Sequence, residues 1–312
     1  MIITVTLNAA LDVTYRVASL RPHATHRVLD TAERPGGKGI NAARVLAALG
    51  RHAVVTGFAG GAAGDELRRR LAEVPYAERI TDALVPIAGS TRRTVGVVDE
   101  RTGDTTMFNE AGPTVTTAEW ARFLAAYREL LASGEARAVA LCGSLPPGLP
   151  VGAYAELVRE ARAAGVYALL DTSGEPLRRG LAARPDLIKP NAEELRALTG
   201  MSEPARAAQV ARRRGARAVA VSLGPDGMLA VTDEGEWQAA PPGGRLSGNP
   251  AGAGDSAVAG LLSGLADGLS WPDRLARAVA VSAATVLAPA AGEYDRAAYE
   301  RLLTRVRVGA PV

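Results

Sequence analysis

The sequence predicts an α/β protein with a mostly parallel sheet covered on both faces by helices. Two observations carry that expectation: short apolar strand patterns alternate with amphipathic helix patterns along most of the chain, and small aliphatic residues and glycine dominate over aromatics. Of 312 residues, 47% are apolar, only 4% are aromatic and 34 are glycine. That mixture suits close packing of Ala, Val and Leu between sheet and helices, and it excludes a disordered or disulfide-built chain. The length admits either two domains or one large unit. No internal repeat, low-complexity linker or boundary is visible, so one domain over 1–312 is expected.

Ile2–Leu7 alternates and is rich in β-formers, which makes it the opening strand, and Asn41–Leu49 reads as a helix ended by Gly50. Ala53–Phe58 follows as a strand, Asp65–Leu71 and Thr117–Leu131 as helices, Ala138–Leu141 as a strand and Val151–Ala164 as a helix closed by Gly165. Val166–Leu170, Leu187–Ile188 and Ala218–Leu223 are further strands, separated by helices that include Glu193–Leu198 and Ala205–Arg214. After Pro242 helices return, the first opening at Gly252 and running through Gly264. Two segments, 12–35 and 86–110, break the alternation. The second reads as a hairpin of Thr94–Asp99 and Thr105–Phe108 around the Thr-Gly-Asp turn at 102–104. Antiparallel ribbons inserted into a parallel α/β chain project from it, and here they fit a lid over a site.

Thirty-six cations against 33 anions leave a net charge of +3. No basic run is long enough to suggest nucleic acid, so small-molecule partners are expected. The one cysteine, Cys142, cannot form an internal disulfide, and the N-terminus has no charged leader and meets Asp12 early. The most apolar C-terminal stretch, Ala278–Ala291, is short for a membrane span, so a cytoplasmic protein without a membrane partner is expected. Only two of the cations are lysines, Lys38 and Lys189, and both lie inside Gly- or Pro-containing motifs. In a chain that otherwise writes arginine, this points to sites that want a compact ammonium; chance placement is the alternative.

Four motifs carry candidate chemistry. Asn249-Pro-Ala-Gly-Ala-Gly-Asp255-Ser opens a helix with small residues, so the backbone amides of Gly252, Ala253 and Gly254 suit the oxyanions of a transferring phosphoryl group. A carboxylate beside an anion hole repels the anion unless it has another task, and accepting a proton from an attacking hydroxyl is such a task for Asp255. The plainer alternative is a helix-opening Asp with glycines that allow tight packing. Pro35-Gly36-Gly37-Lys38-Gly39-Ile40-Asn41 also precedes a helix. It matches neither GxxxxGK[ST] nor GxGxxG, yet Lys38 and Asn41 offer an ammonium and an amide suited to sugar hydroxyls or a phosphate, with a purely structural turn as the alternative. In Ile188-Lys189-Pro190-Asn191-Ala-Glu193-Glu194, Asn191 and Glu194 share a helical face and suit a hydrated Mg²⁺ beside phosphates, or else simply cap the helix. Val221-Ser222-Leu-Gly224-Pro-Asp-Gly227 ends a strand in a turn that wraps a nucleotide or makes a hairpin. His23, His26 and His52 are too scattered for a metal site, and Thr91-Arg92-Arg93 offers arginines able to hold a phosphate bidentately.

Taken in order, TVTLNAALD, GGKGINAARVLAALG, TRR, GSLPPGL, LDTSGEPL, IKPNAEEL, VSLGPDG and GAGDS resemble the ribokinase-like (pfkB) carbohydrate kinases, in the branch of 1-phosphofructokinase and tagatose-6-phosphate kinase, over nearly the whole chain. The resemblance implies a three-layer α/β/α sandwich with a small antiparallel β lid formed by 12–35 and 86–110, ATP as donor and Mg²⁺ as metal. It implies Asp255 as catalytic base and Gly252, Ala253 and Gly254 as anion hole. Lys189, Asn191, Glu194, Ser222, Gly224 and Gly227 fall on the nucleotide side, with Asn191 and Glu194 reaching the metal through water. Asp12, Gly37, Lys38 and Asn41 match sugar-binding positions, and Arg92 matches the arginine on the substrate's own phosphate. Arg27 aligns with a cation that reaches that phosphate, in some relatives across a homodimer joined through the lids. The chain departs from the family at Pro250, where Thr is usual, and at Cys142, where Ser is frequent.

Asn249-Pro250, HRVLDTAERPGGKG and NEAGPTVT look like the tagatose-6-phosphate kinase branch, so the expected reaction is ATP-dependent phosphorylation of tagatose 6-phosphate, with fructose 1-phosphate and then fructose 6-phosphate as alternatives. Two rivals belong to other classes. A dinucleotide-dependent dehydrogenase suits the alternating pattern but lacks GxGxxG after the first strand, and a sugar-phosphate sensor without turnover has no need of Asp255.

Overall fold

A computed structural model describes residues 1–242, 246, 248–288 and 290–310. The first half of the chain forms β1 (Ile2–Thr6), β2 (Ala10–Val17), β3 (Asp30–Gly36), α1 (Lys38–Ala48), β4 (Ala53–Ala59), α2 (Gly61–Glu73), β5 (Ile80–Pro86), β6 (Arg92–Asp99), β7 (Thr105–Asn109), α3 (Thr117–Ala132) and β8 (Ala138–Cys142). There follow α4 (Ala153–Ala163), β9 (Tyr167–Asp171), α5 (Gly174–Ala182), β10 (Leu187–Ile188), α6 (Ala192–Thr199), α7 (Pro204–Arg213) and β11 (Ala218–Ser222). The last are β12 (Met228–Val231), β13 (Glu236–Ala240), α8 (Ala253–Ala266), α9 (Trp271–Val286), α10 (Arg296–Leu303) and β14 (Arg307–Gly309).

Ten strands form the central sheet in the order β14-β13-β12-β11-β10-β9-β8-β1-β4-β5. Neighbours from β11 to β5 pair in parallel, and β12, β13 and β14 add antiparallel strands at one edge. Strand periodicity sorts the side chains of β1: Ile3 and Val5 pack with helices α3 to α7, whereas Ile2 packs with α1, α8 and α9 on the other face. The result is three layers, as the alternation predicts. On the first face Phe58, Trp120, Phe123 and Tyr127 make a run of ring contacts at 5.1 to 6.0 Å.

The two segments that break the alternation meet in a second sheet, ordered β3-β2-β6-β7. Its outer pairs are antiparallel, and the two segments join through the parallel pair of β2 with β6. That parallel joint is invisible locally, because the chain between its strands runs through α1, β4, α2 and β5.

Two local differences from the sequence reading bear on the site. Helix α1 begins at Lys38 and not at Asn41, because Gly37 turns the backbone at φ 113° and its carbonyl already accepts the Asn41 amide at 2.9 Å. Helix α5 is absent from the sequence reading, since Gly174, Pro176 and Gly180 weaken its signal; Pro176 lies in the first turn, where its missing N–H costs little.

Candidate active site

In a parallel sheet the carboxyl ends of the strands open toward one edge, and the crevice forms where the strand order reverses direction. Here the order reverses beside β1, which has β8 on one side and β4 on the other. Cys142 ends β8, Asp171 ends β9, Lys189 follows β10 and Ser222 ends β11, so the strand ends deliver these residues to one rim.

Helices α1 and α8 bring the remaining groups. Gly37 and Gly39 let α1 lie directly on β1, since added Cβ atoms would stand 2.6 Å from Thr6 Cγ2 and 2.5 Å from Thr6 Oγ1. Asn41, buried on α1, donates its Nδ2–H to Asp255 Oδ2 at 2.9 Å. Asp255 sits in the first turn of α8, after Gly252 at φ 81°. Burial pushes its carboxyl up to about 7; the nearby Asp171 charge adds to the rise, while the Asn41 hydrogen bond and then Lys38 and Lys189 oppose it.

Asp171 is the functional candidate that the motif reading left without a role. It is 2% exposed, and its Oδ1 lies 3.7 Å from Lys38 Nζ and 3.4 Å from Lys189 Nζ. Its Oδ2 has no hydrogen-bond partner among the described residues. The two lysines, assigned by motif to opposite sides of the site, therefore share one carboxylate. Lys38 remains half-exposed, and Asp171 is the first cause that raises its pKa, ahead of burial, which lowers it. Lys189 is buried, with its ammonium 3.5 Å from where a Cβ on Gly254 would stand.

At the start of α8 the Ala253 amide donates to the Pro250 carbonyl at 3.1 Å, and the Ala251 amide to Asn249 Oδ1 at 3.0 Å. The amides of Gly252, Gly254 and Asp255 make no hydrogen bond among the described residues. The free donors thus extend to Asp255 itself and leave out Ala253. Asn249 and Pro250, which set this chain apart from the usual family pattern, shape the turn into the helix.

On the rim beyond Lys189, Asn191 and Glu194 form a reciprocal cap of α6. Asn191 Oδ1 accepts the Glu194 amide at 2.8 Å, and Glu194 Oε2 accepts the Asn191 amide at 2.9 Å. The capping alternative is thus realised, leaving Asn191 Nδ2 and Glu194 Oε1 outside the cap. Asn191 also bridges to Ser222. Gly224 at φ 61° and Gly227 at φ 88° turn β11 into β12, so the hairpin alternative is realised there too.

On the other side, Asp12 on β2 is held near Arg92 and Thr94 of β6, and burial pushes its carboxyl up to about 6 against the lowering effect of Arg92. Gly36 is required opposite it, because a Cβ there would fall 2.2 Å from Asp12 Cγ. Arg92 donates to the Asn8 carbonyl at 3.2 Å and the Glu110 carbonyl at 3.0 Å. Arg27 lies in the exposed stretch before β3 and makes no hydrogen bond or ion pair among the described residues, so nothing in the single chain ties it to Arg92. Cys142 is buried, and burial pushes its thiol up, the opposite of what a nucleophile needs.

A buried carboxylate beside free helix-start amides, with two ammonium groups behind it, suits transfer of a phosphoryl group to a hydroxyl. The model of the pfkB family carbohydrate kinases matches residues 5–296. The chain belongs to that family. It is 38% identical over 295 residues to a 1-phosphofructokinase of Rhodobacter capsulatus, covering 92% of each chain. It is 39% identical over 287 residues to a 1-phosphofructokinase of Xanthomonas campestris pv. campestris, covering 88% of this chain and 87% of that one. Among solved structures, phosphofructokinase-2 from Escherichia coli in complex with fructose-6-phosphate superposes with a TM-score of 0.88 at 31% identity, over 97% of this chain and 98% of that one. Ribokinase of Arabidopsis thaliana complexed with ribose and ATP shares the fold, with a TM-score of 0.76 at 22% identity over 97% and 98% of the two chains. This pfkB family member is an ATP-dependent sugar-phosphate kinase with a ribokinase-like fold.

The raised Asp255 pKa has a sign that can be measured. A carboxyl whose folded pKa lies near 7, against 3.8 unperturbed, penalises folding once it ionises: its stability contribution is complete below 3.8 and is lost as pH rises through about 7. Asp255→Asn is therefore expected to come close to wild type in denaturant stability at pH 3.5, to pull ahead of it from about pH 4 upward, and to exceed it at pH 8.5 by on the order of a few kcal/mol. In wild type, kcat/KM for the sugar phosphate should fall about tenfold per pH unit below 7. Equal stabilities at both pH values, or a flat rate profile from pH 5.5 to 7, would remove the assignment.

Proposed function

We propose that the protein transfers the γ-phosphoryl group of ATP to the free primary hydroxyl of fructose 1-phosphate, giving fructose 1,6-bisphosphate. The observation that carries the chemistry is the Asp255 carboxylate, buried at the α8 N-terminus and held by Asn41. The substrate rests on the relatives: two that align along most of their length are 1-phosphofructokinases. They favour fructose 1-phosphate over the tagatose 6-phosphate that Asn249-Pro250 suggested; those two residues shape the turn before α8.

In this reading Asp255 accepts the proton as the substrate hydroxyl oxygen attacks the γ-phosphorus and the bond to the ADP oxygen breaks. The amides of Gly252 and Gly254, with the Asp255 amide, hold the oxygens of the moving group, and Lys38 and Lys189 offset its charge. Asp12, Gly37, Lys38 and Asn41 face the sugar. Arg92 holds its phosphate, joined by Arg27 of a second copy. Ser222, Gly224 and Gly227 wrap the nucleotide. The small sheet serves as a lid that excludes water when both substrates are bound.

The donors near Glu194 fit Mg²⁺ of the kind that arrives with a nucleotide. Glu194 Oε1 is an oxygen donor outside the cap, and no group of three His, Cys, Asp or Glu converges among the described residues, so most ligands would be water and phosphate oxygens. Mg²⁺ bound there would neutralise charge on the phosphates. A homodimer through the small sheet is supported by its exposed apolar side chains, Leu29, Met107 and Phe108.

Three measurements test this reading. With ATP and Mg²⁺, fructose 1-phosphate should give the highest kcat/KM among fructose 1-phosphate, tagatose 6-phosphate and fructose 6-phosphate, and Asp255→Asn should lower kcat by about 10²-fold or more; a different ranking overturns the substrate. Arg92→Ala should cost about 2 to 4 kcal/mol in kcat/KM for the sugar phosphate while ATP affinity hardly moves, and equal losses for both substrates would refute its role. Light scattering should give a dimer that Phe108→Asp converts to monomer; a monomeric wild type with full activity would exclude the lid interface.

A further inference from the structure

One buried cation stands outside the machinery described so far. Arg44 lies on α1 one turn beyond Asn41 and is only 5% exposed. Its guanidinium donates from Nη1 to the Ala291 carbonyl at 2.9 Å and from Nη2 to Glu293 Oε1 at 2.8 Å. Arg34 of β3 approaches the same Glu293 oxygen at 3.9 Å. Burial lowers the Arg44 pKa, and Glu293 is the first of the partners that oppose it. Both arms of the fork serve a single loop, while the buried Nε has no hydrogen-bond partner among the described residues.

That loop touches the catalytic start of α8. A Cβ on Gly252 would fall 2.8 Å from Ala291 Cα and 3.2 Å from the Gly292 amide nitrogen, so loop and helix start are in close contact. A Cβ on Gly292, whose φ is 76°, would fall 2.7 Å from Arg44 Nη1 and 3.1 Å from Asn41 Oδ1. The loop is therefore wedged between α1 and the helix start. Asn41 reaches Asp255 directly, and Arg44 reaches Gly252 through Ala291, so two residues of one helix face fix the base and the anion-binding amides in the same frame.

We propose that Arg44 and Glu293 form a clamp that positions the α8 N-terminus for phosphoryl transfer. The inference rests on the role given above to Asp255 and the α8 amides. Arg44 touches neither substrate in that reading; it is a positioning residue, and misplacing oriented donors by an ångström costs rate more than binding.

The test compares Arg44→Lys, Glu293→Gln and the double variant in the full-length protein, by steady-state kinetics with both substrates and by thermal unfolding. Arg44→Lys keeps the charge but loses the two-armed fork, and Glu293→Gln is a mild change at a partly exposed position that keeps the shape. Each single variant is expected to lower kcat about tenfold, with KM for ATP and sugar phosphate within about threefold of wild type and unfolding within a few degrees. The double variant should be no worse than the poorer single, because both changes break one clamp. Unchanged kcat in Glu293→Gln, additive losses, or losses confined to KM would overturn the clamp while leaving the kinase reading intact. Asp255→Asn, assayed in parallel, separates the two: near-full kcat there would overturn the reading of the α8 site, and the clamp with it.

Discussion

The burial of two carboxylates, Asp171 and Asp255, at the mouth of the parallel sheet is the constraint on which the remaining arrangement depends. Neither could stay in so dry a place uncompensated, because moving an isolated carboxylate out of water costs several kcal/mol even after the protein relaxes. The compensation comes from Lys38 and Lys189, both within 4 Å of Asp171, and from the Asn41 amide on Asp255. Balance is incomplete at Asp255, whose pKa rises to about 7. In the function proposed above that incompleteness would be useful, since a base with a pKa near the working pH is the one best able to take a proton in the transition state.

The glycines around the site follow from the same constraint. A lysine and an asparagine on α1 reach the two carboxylates only if α1 lies against β1, and Gly37 and Gly39 allow that approach to Thr6. Gly36 allows Asp12 to occupy the space opposite it, on the side where Arg92 stands. At α8 the close contact of Gly252 with Ala291 joins the helix start to the loop held by Arg44. The backbone is brought close at each of these points, and any side chain would force it apart.

A groove around Tyr76, Tyr294 and Tyr299 sits at the far ends of α1 and α8, away from Asp255.

Much of this was legible in the sequence. The alternation of strand and helix patterns determined the three layers, and the motifs at Lys38, Lys189, Asn191 and Asp255 pointed to residues that the fold places along one rim, because each lies where a strand or turn runs into a helix and the local pattern records that junction. Local pattern could not say that Lys38 and Lys189 share one carboxylate, since Asp171 ends a strand like any turn residue and its partners come from α1 and from the chain after β10. Nor could it show that β2 and β6 pair in parallel or that Arg44 grips a loop far along the chain, whereas the Asn191 and Glu194 cap of α6, a local pattern, was open to it. Sequence by itself determined many of the elements and which residues stand at their ends, because backbone propensity and hydrophobic period act over a few residues. Only the tertiary structure decided which charges meet, because desolvation and Coulomb interaction depend on distance through space, and folding brings together groups that the chain keeps apart.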